Sequence, residues 1–150
     1  MSLSPVNIDI SYREYFVSEI LEMIKDGDIE FSTRDWWGVL KQSDMVESAI
    51  VRIPMKQVVM YYEDVSSDAM IVGDGNQRLK ALYNFINNSF TLEDMKYIEE
   101  LEGKKYDDLP RNIQRRILET RIPTYTIRRG TPLDVLKDIL HRLAENELRE

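Results

Sequence analysis

Apolar residues recur along the chain in two periods, and the points where the period changes predict its elements. Ser11 with Glu14 has capping-box spacing, so a helix is expected there, carrying Tyr12, Phe16, Ile20 and Ile24 on one stripe and ending at Asp26-Gly27. Residues 29–31 read as a short strand, followed by an irregular, aromatic-rich loop over 32–37. A helix is expected from about Ser43, with Met45, Val46, Ala49 and Ile50 inward, stopping before Pro54. Residues 57–62 and 69–72 are β-branched and aromatic runs on either side of a polar turn, which predicts an antiparallel hairpin. Gly73-Asp74-Gly75 ends the second run. The spacing of Leu79, Leu82, Tyr83 and Ile86 then predicts a helix that Asn87-Asn88 breaks.

Downstream, the pattern predicts a short strand over 90–92, a helical stretch over 95–101 and a turn at Gly103. Pro110 suits the first turn of a helix carrying Ile113 and Ile117. Residues 122–127 look strand-like, with Pro123 suggesting a sheet edge. Thr131-Pro132 opens a last helix, with Leu133, Leu136, Leu140 and Leu143 inward. The expectation is one α+β domain, a small mixed sheet with about five helices.

The chain has 150 residues, 43% hydrophobic and 31% charged, which fits one globular domain. No apolar run is long enough to span a bilayer, so no membrane partner is expected, and a cytoplasmic location is. There is no cysteine, which excludes a disulfide framework, a cysteine nucleophile and thiolate metal sites. One histidine, His141, sits among leucines of the last helix and reads as structural rather than catalytic. Met-Ser-Leu at positions 1–3 reads as an added leader, and the helical pattern running to Glu150 reads as a piece of a longer protein.

Net charge is −7, a poor starting point for generic nucleic-acid binding. Residues 104–129 depart from that, with eight basic against three acidic residues. Such a region can meet phosphates or an acidic partner, or can be a solvated face with internal pairing.

Two local constellations carry chemistry. In Gly73-Asp74-Gly75-Asn76-Gln77-Arg78, a strand gives way to a helix through a glycine-flanked aspartate, which exposes backbone N–H groups to an anion. Gly75 permits close approach, Arg78 offers a bidentate fork, and Asp74 can hold magnesium or orient a water. Asn76 and Gln77 suit a sugar or a base edge. The alternative is a plain strand–helix turn with Arg78 in an internal ion pair. In Thr33-Arg34-Asp35-Trp36-Trp37, an arginine beside two tryptophans can hold a phosphate and stack a base, or the tryptophans can plug the core.

The order of motifs resembles the ParB-like N-terminal domain of the GmrSD-type modification-dependent restriction enzymes. That family carries Phe-Gln-Arg with a following tryptophan, Glu-Ser-Ile-Leu before Ile-Pro, and Asp-Gly-Gln-Gln-Arg-Leu. The matching segments are Phe31 to Arg34 with Trp37, Val46 to Ile50 with Ile53-Pro54, Asp74 to Leu79, and Leu101 to Pro110. Asn76 stands for the first glutamine of the last box, and Thr33 for the glutamine before Arg34.

The resemblance implies a ParB/sulfiredoxin-like fold and a nucleoside triphosphate site at Asp74–Arg78. Asp74 would serve a magnesium ion and catalysis, with Gly75, Asn76, Gln77, Arg78 and Arg34 holding the nucleotide. It also implies a restriction or defence setting with DNA or a nuclease domain as partner; an enzyme of this kind would be an NTP hydrolase or part of a ParB-like nuclease. The competing expectation is a non-catalytic DNA- or protein-binding module that uses residues 104–129.

Overall fold

The hairpin expected around residues 57–73 forms inside a five-stranded sheet. In the computed structural model, the backbone is described for residues 8–148 and the side chains for residues 8–143. The expected leader at 1–3 lies outside the described residues. Strand β3 (Val58–Tyr62) runs antiparallel to β4 (Met70–Asp74), with Tyr62 opposite Met70. Strand β2 (Ile29–Phe31) adds to β4 in parallel, and β5 (Arg121–Ile127) adds to β3 in parallel. Strand β1 (Ile10–Phe16) closes the far edge, antiparallel to β5, giving the order β1-β5-β3-β4-β2.

Five helices complete the α+β fold: α1 (Val17–Lys25), α2 (Val39–Ile50), α3 (Asn76–Ile86), α4 (Arg111–Leu118) and α5 (Leu133–Leu148). Side chains alternate across β3 as a pleated strand requires. Val58 and Met60 join a large apolar cluster with Ile20, Val46, Leu79, Phe85 and Ile117 of the first four helices. Val59 and Tyr61 face the other way, into a smaller cluster with Leu136, Ile139 and Leu140 of α5. The sheet therefore carries α1–α4 on one face and α5 on the other. No helix among the described residues is long and apolar enough to cross a membrane.

Four local expectations are corrected. Residues 10–16 are a strand, and the helix begins only at Val17. The pair that holds its start is Phe16 with Glu19, whose Oε1 accepts the Phe16 N–H at 3.0 Å, rather than Ser11 with Glu14. Helix α2 begins at Val39, four residues ahead of Ser43, because Ser43 is fully buried in its body, where its Oγ accepts the Glu93 N–H. Residues 90–92 form no strand, and the 95–101 stretch is reduced to a single 3₁₀ turn at Glu99–Leu101. Pro123 lies on an inner strand; β5 pairs with β3 only from Thr124 onward, so the missing N–H falls outside that ladder.

Three helices end in the same way. After α1, α2 and α3 the next residue but one lies in the left-handed region: Gly27 at φ 80°, Arg52 at φ 67° and Asn88 at φ 60°. Each forms the paired Schellman bonds, for α2 from Ile53 N to Ser48 O at 2.9 Å and Arg52 N to Ala49 O at 3.3 Å. Glycine and asparagine tolerate this conformation. Arginine is held there at a cost.

Candidate functional site

The turn from β4 into α3 is shaped by two glycines. The β3–β4 register slips between Val59, opposite Asp74, and Met60, opposite Val72, which leaves Gly73 as the extra residue of a bulge. Bulges re-aim the side chain that follows them, here Asp74. A Cβ on Gly73 would sit 2.5 Å from Leu140 Cδ2, so glycine also lets α5 cross this point. Gly75 then takes φ 103° as the N-cap of α3 and caps no N–H with a side chain. The first turn of α3 is therefore left to backbone N–H groups, the arrangement that favours an anion.

The side chains of the box are committed to holding the structure. Arg78 Nη2 donates to Gln57 O at 2.5 Å, and Arg78 Nε is shut off from solvent. A Cβ on Gly75 would lie 2.8 Å from Val58 Cγ2 and 3.4 Å from Arg78 Nη2. The side of Gly75 expected to admit a phosphate is thus filled by β3 and the guanidinium, and any anion must approach the N–H side of the turn. Asp74 is half-buried, with Oδ2 enclosed.

Asn76 and Gln77 act on a distant loop. Asn76 Oδ1 accepts the Ser32 N–H at 2.9 Å, and its Nδ2 donates to Ser32 Oγ and to Val72 O. Gln77 Oε1 accepts the Trp37 N–H at 2.9 Å, and its Nε2 donates to Asp35 O at 2.6 Å. The two constellations read from the sequence are thereby stitched together, with Arg34 lying between the two anchored residues Ser32 and Asp35. Arg34 is exposed and makes no side-chain hydrogen bond or ion pair among the described residues. Its backbone is placed and its charge is uncommitted.

The stitching continues inward. Gln42 Nε2 donates to Trp37 O at 2.6 Å, while its Oε1 accepts from Asn84 Nδ2 at 3.0 Å. Trp36 packs edge-on against Phe31, ring centroids 5.2 Å apart. Lys80 Nζ lies 5.3, 5.1 and 5.0 Å from the ring centroids of Phe31, Trp36 and Tyr83, and Lys41 Nζ lies 6.0 Å from that of Trp37. Both tryptophans are half-buried, and neither belongs to a core cluster. Lys41, Lys80, Gln42 and Asn84 were not among the residues the sequence pointed to; the only local signal was their helical spacing from the two constellations.

Glu47 has a different task. It is 2% exposed, and its carboxylate accepts the N–H groups of Lys96, Tyr97 and Ile98 at 2.9–3.2 Å. Three successive N–H groups form a nest for one buried anion, which is how the segment of the resemblance around Glu47 fixes the loop ahead of the 3₁₀ turn.

Four of the eight basic residues at 104–129 are engaged within the chain. Arg116 donates to Ile50 O, Arg121 pairs with Glu14, Arg128 with Asp9, and Arg129 donates to Val65 O and Ser67 O. Arg121 opens β5 and Arg128 follows its last residue, about 23 Å away at the rise of a strand. His141 is exposed on α5. A cleft of about 290 Å3 lies elsewhere, lined by Glu14, Ala49, Arg52, Ile53, Arg121 and Pro123 among others, none of them in the two stitched constellations. Among the described residues no group of three or more His, Cys, Asp or Glu side chains is placed to hold a metal ion. Comparison with family models, curated proteins and solved structures finds no match to this chain.

Proposed function

We propose that this chain is a nucleotide-binding domain of the ParB-like kind, taking a nucleoside triphosphate where the Arg34 loop meets the first turn of α3. The observation that carries the reading is the double anchoring of that loop by Asn76 and Gln77, which ties the residues on either side of Arg34 to the first turn of α3, whose N-terminus has no side-chain cap. In this reading Arg34 binds phosphate oxygens as a fork, and the N–H groups of the turn bind a second phosphate. Asn76, Gln77 and Arg78 position the site, and Gly75 gives it the bend.

A magnesium ion fits the donor set in a limited way. Magnesium is commonly held by one or two carboxylates together with substrate phosphates, and Asp74 supplies one carboxylate at the right turn. The ion would neutralise phosphate charge; every other contact named here belongs to the chain. Hydrolysis further needs a positioned water, for which Asp74 is the candidate group, and phosphate release measures it separately from binding. The setting in a DNA restriction or defence protein, the nuclease partner and the cytoplasmic location rest on the resemblance.

A thermal-shift series with ATP, GTP, CTP and UTP, each with and without magnesium, tests the reading. A ligand at about 100 times its dissociation constant stabilises by about 2.7 kcal/mol, or roughly 5–10 °C for a chain of 150 residues. No shift with any of the four at millimolar concentration would remove the proposal.

A further inference from the structure

Trp36 and Trp37 are the only two tryptophans of the chain, they are consecutive, and each has a lysine ammonium over its ring. Lys80 is held among three rings, whereas Lys41 lies at the outer limit of such a contact, 6.0 Å from Trp37. Directly after Trp37, the first turn of α2 leaves Val39 and Leu40 exposed at 37% and 59%, on a helix that buries Gln42, Ser43 and Val46 farther along. The loop is not loose: Trp37 is pinned at its N–H by Gln77 and at its carbonyl by Gln42.

We infer that this surface is a stacking platform for single-stranded nucleic acid, with a base on Trp37 and a backbone phosphate on Lys41. It goes beyond the triphosphate reading, since Trp37, Lys41, Val39 and Leu40 have no part in that site. The chemistry that singles out this ligand is the combination of a rigidly held indole with cations beside it. Bases stack on an aromatic face without regard to sequence, and phosphates then meet the flanking charges. A base covers more of the indole than one ammonium does, so Lys41 leaves the ring for the phosphate as the base arrives.

A duplex keeps its bases stacked inside and offers no face to Trp37. An acidic peptide would satisfy the cations and leave the indole unstacked.

Because both tryptophans lie in this loop, tryptophan fluorescence excited beyond the tyrosine band reports on it alone. The intact chain is titrated with an oligothymidylate of about 15 nucleotides, within the usual range of such site sizes. The expected result is saturable quenching whose log affinity falls linearly with log salt concentration. Lys41→Ala, on an exposed helical position, weakens the affinity at least threefold with an unchanged melting temperature. Absence of quenching overturns the inference, as does equal quenching by a duplex of the same length or by polyglutamate, or an affinity that Lys41→Ala leaves unchanged. Repeating the titration with a magnesium–nucleoside triphosphate saturating the chain separates the two readings: quenching that persists supports two sites, and quenching that is abolished assigns both ligands to one and overturns the separate platform.

Discussion

Gln77 accepts the N–H of Trp37 across forty residues of sequence, at 2.9 Å, and the same side chain donates to Asp35 O at 2.6 Å. One amide at the start of α3 therefore fixes both ends of the segment that carries the two tryptophans.

Gln77→Ala removes both bonds. At about 0.5–1.5 kcal/mol net for each, the variant should lose about 1–3 kcal/mol of stability in urea unfolding. Its tryptophan emission should shift to the red before unfolding, as the loop gains solvent. An unshifted spectrum would show that packing against Phe31 and Lys80 holds the loop without Gln77.

Glu47→Ala should be the costlier change. It leaves three successive part-buried N–H groups without their acceptor, and each such loss costs up to about 1–3 kcal/mol. A fall of about 3 kcal/mol or more in urea unfolding is expected, with faster hydrogen exchange at Lys96, Tyr97 and Ile98. Glu47→Gln keeps one acceptor oxygen and should fall between.

Arg52→Gly should stabilise the chain. The left-handed conformation at φ 67° costs a residue with a Cβ about 1–2 kcal/mol, part of which glycine returns as backbone entropy in the unfolded chain. A gain of about 0.5–1 kcal/mol in chemical denaturation is expected, and a loss would show that the Arg52 side chain contributes packing in its cleft.

Arg78→Ala should lower the melting temperature in the absence of any ligand, because Arg78 Nη2 donates to Gln57 O and lies against Gly75. A loss of about 1.5–3 kcal/mol matches one charged hydrogen bond to the backbone. An unchanged melting temperature would show that the guanidinium is spare and available for a ligand.

Much of the fold was legible locally. The 57–73 hairpin, the start of α3 and the breaks at Gly27 and Asn88 follow from β-branched runs, a change of period and residues that accept positive φ. Strand β1 was not legible, for a physical reason. Tyr12, Phe16, Ile20 and Ile24 are spaced by four as on a helix, but residues 11–14 are all exposed, so burial leaves no alternation to read. What makes them a strand is β5, with Phe16 opposite Arg121, more than a hundred residues away. The site shows the same division. The two constellations could be picked out by composition, whereas their joining through Asn76 and Gln77 depends on a turn that only the folded sheet brings within reach. The inward aim of Arg78 was hidden because Gln57, its acceptor, offers a backbone carbonyl that no side-chain pattern reveals.

The central claim is that Arg34 is the cation a nucleotide meets, placed by the loop and otherwise uncommitted. Its most direct test is calorimetric titration of each magnesium–nucleoside triphosphate into the wild type and into Arg34→Ala, with melting temperatures on the same samples. At least one triphosphate should bind the wild type saturably. The substitution should weaken it by roughly ten- to a hundredfold, the worth of one charge-assisted fork, and leave the melting temperature unchanged. A wild type that binds none of the four, or an Arg34→Ala protein that binds as tightly as the wild type, would contradict the account.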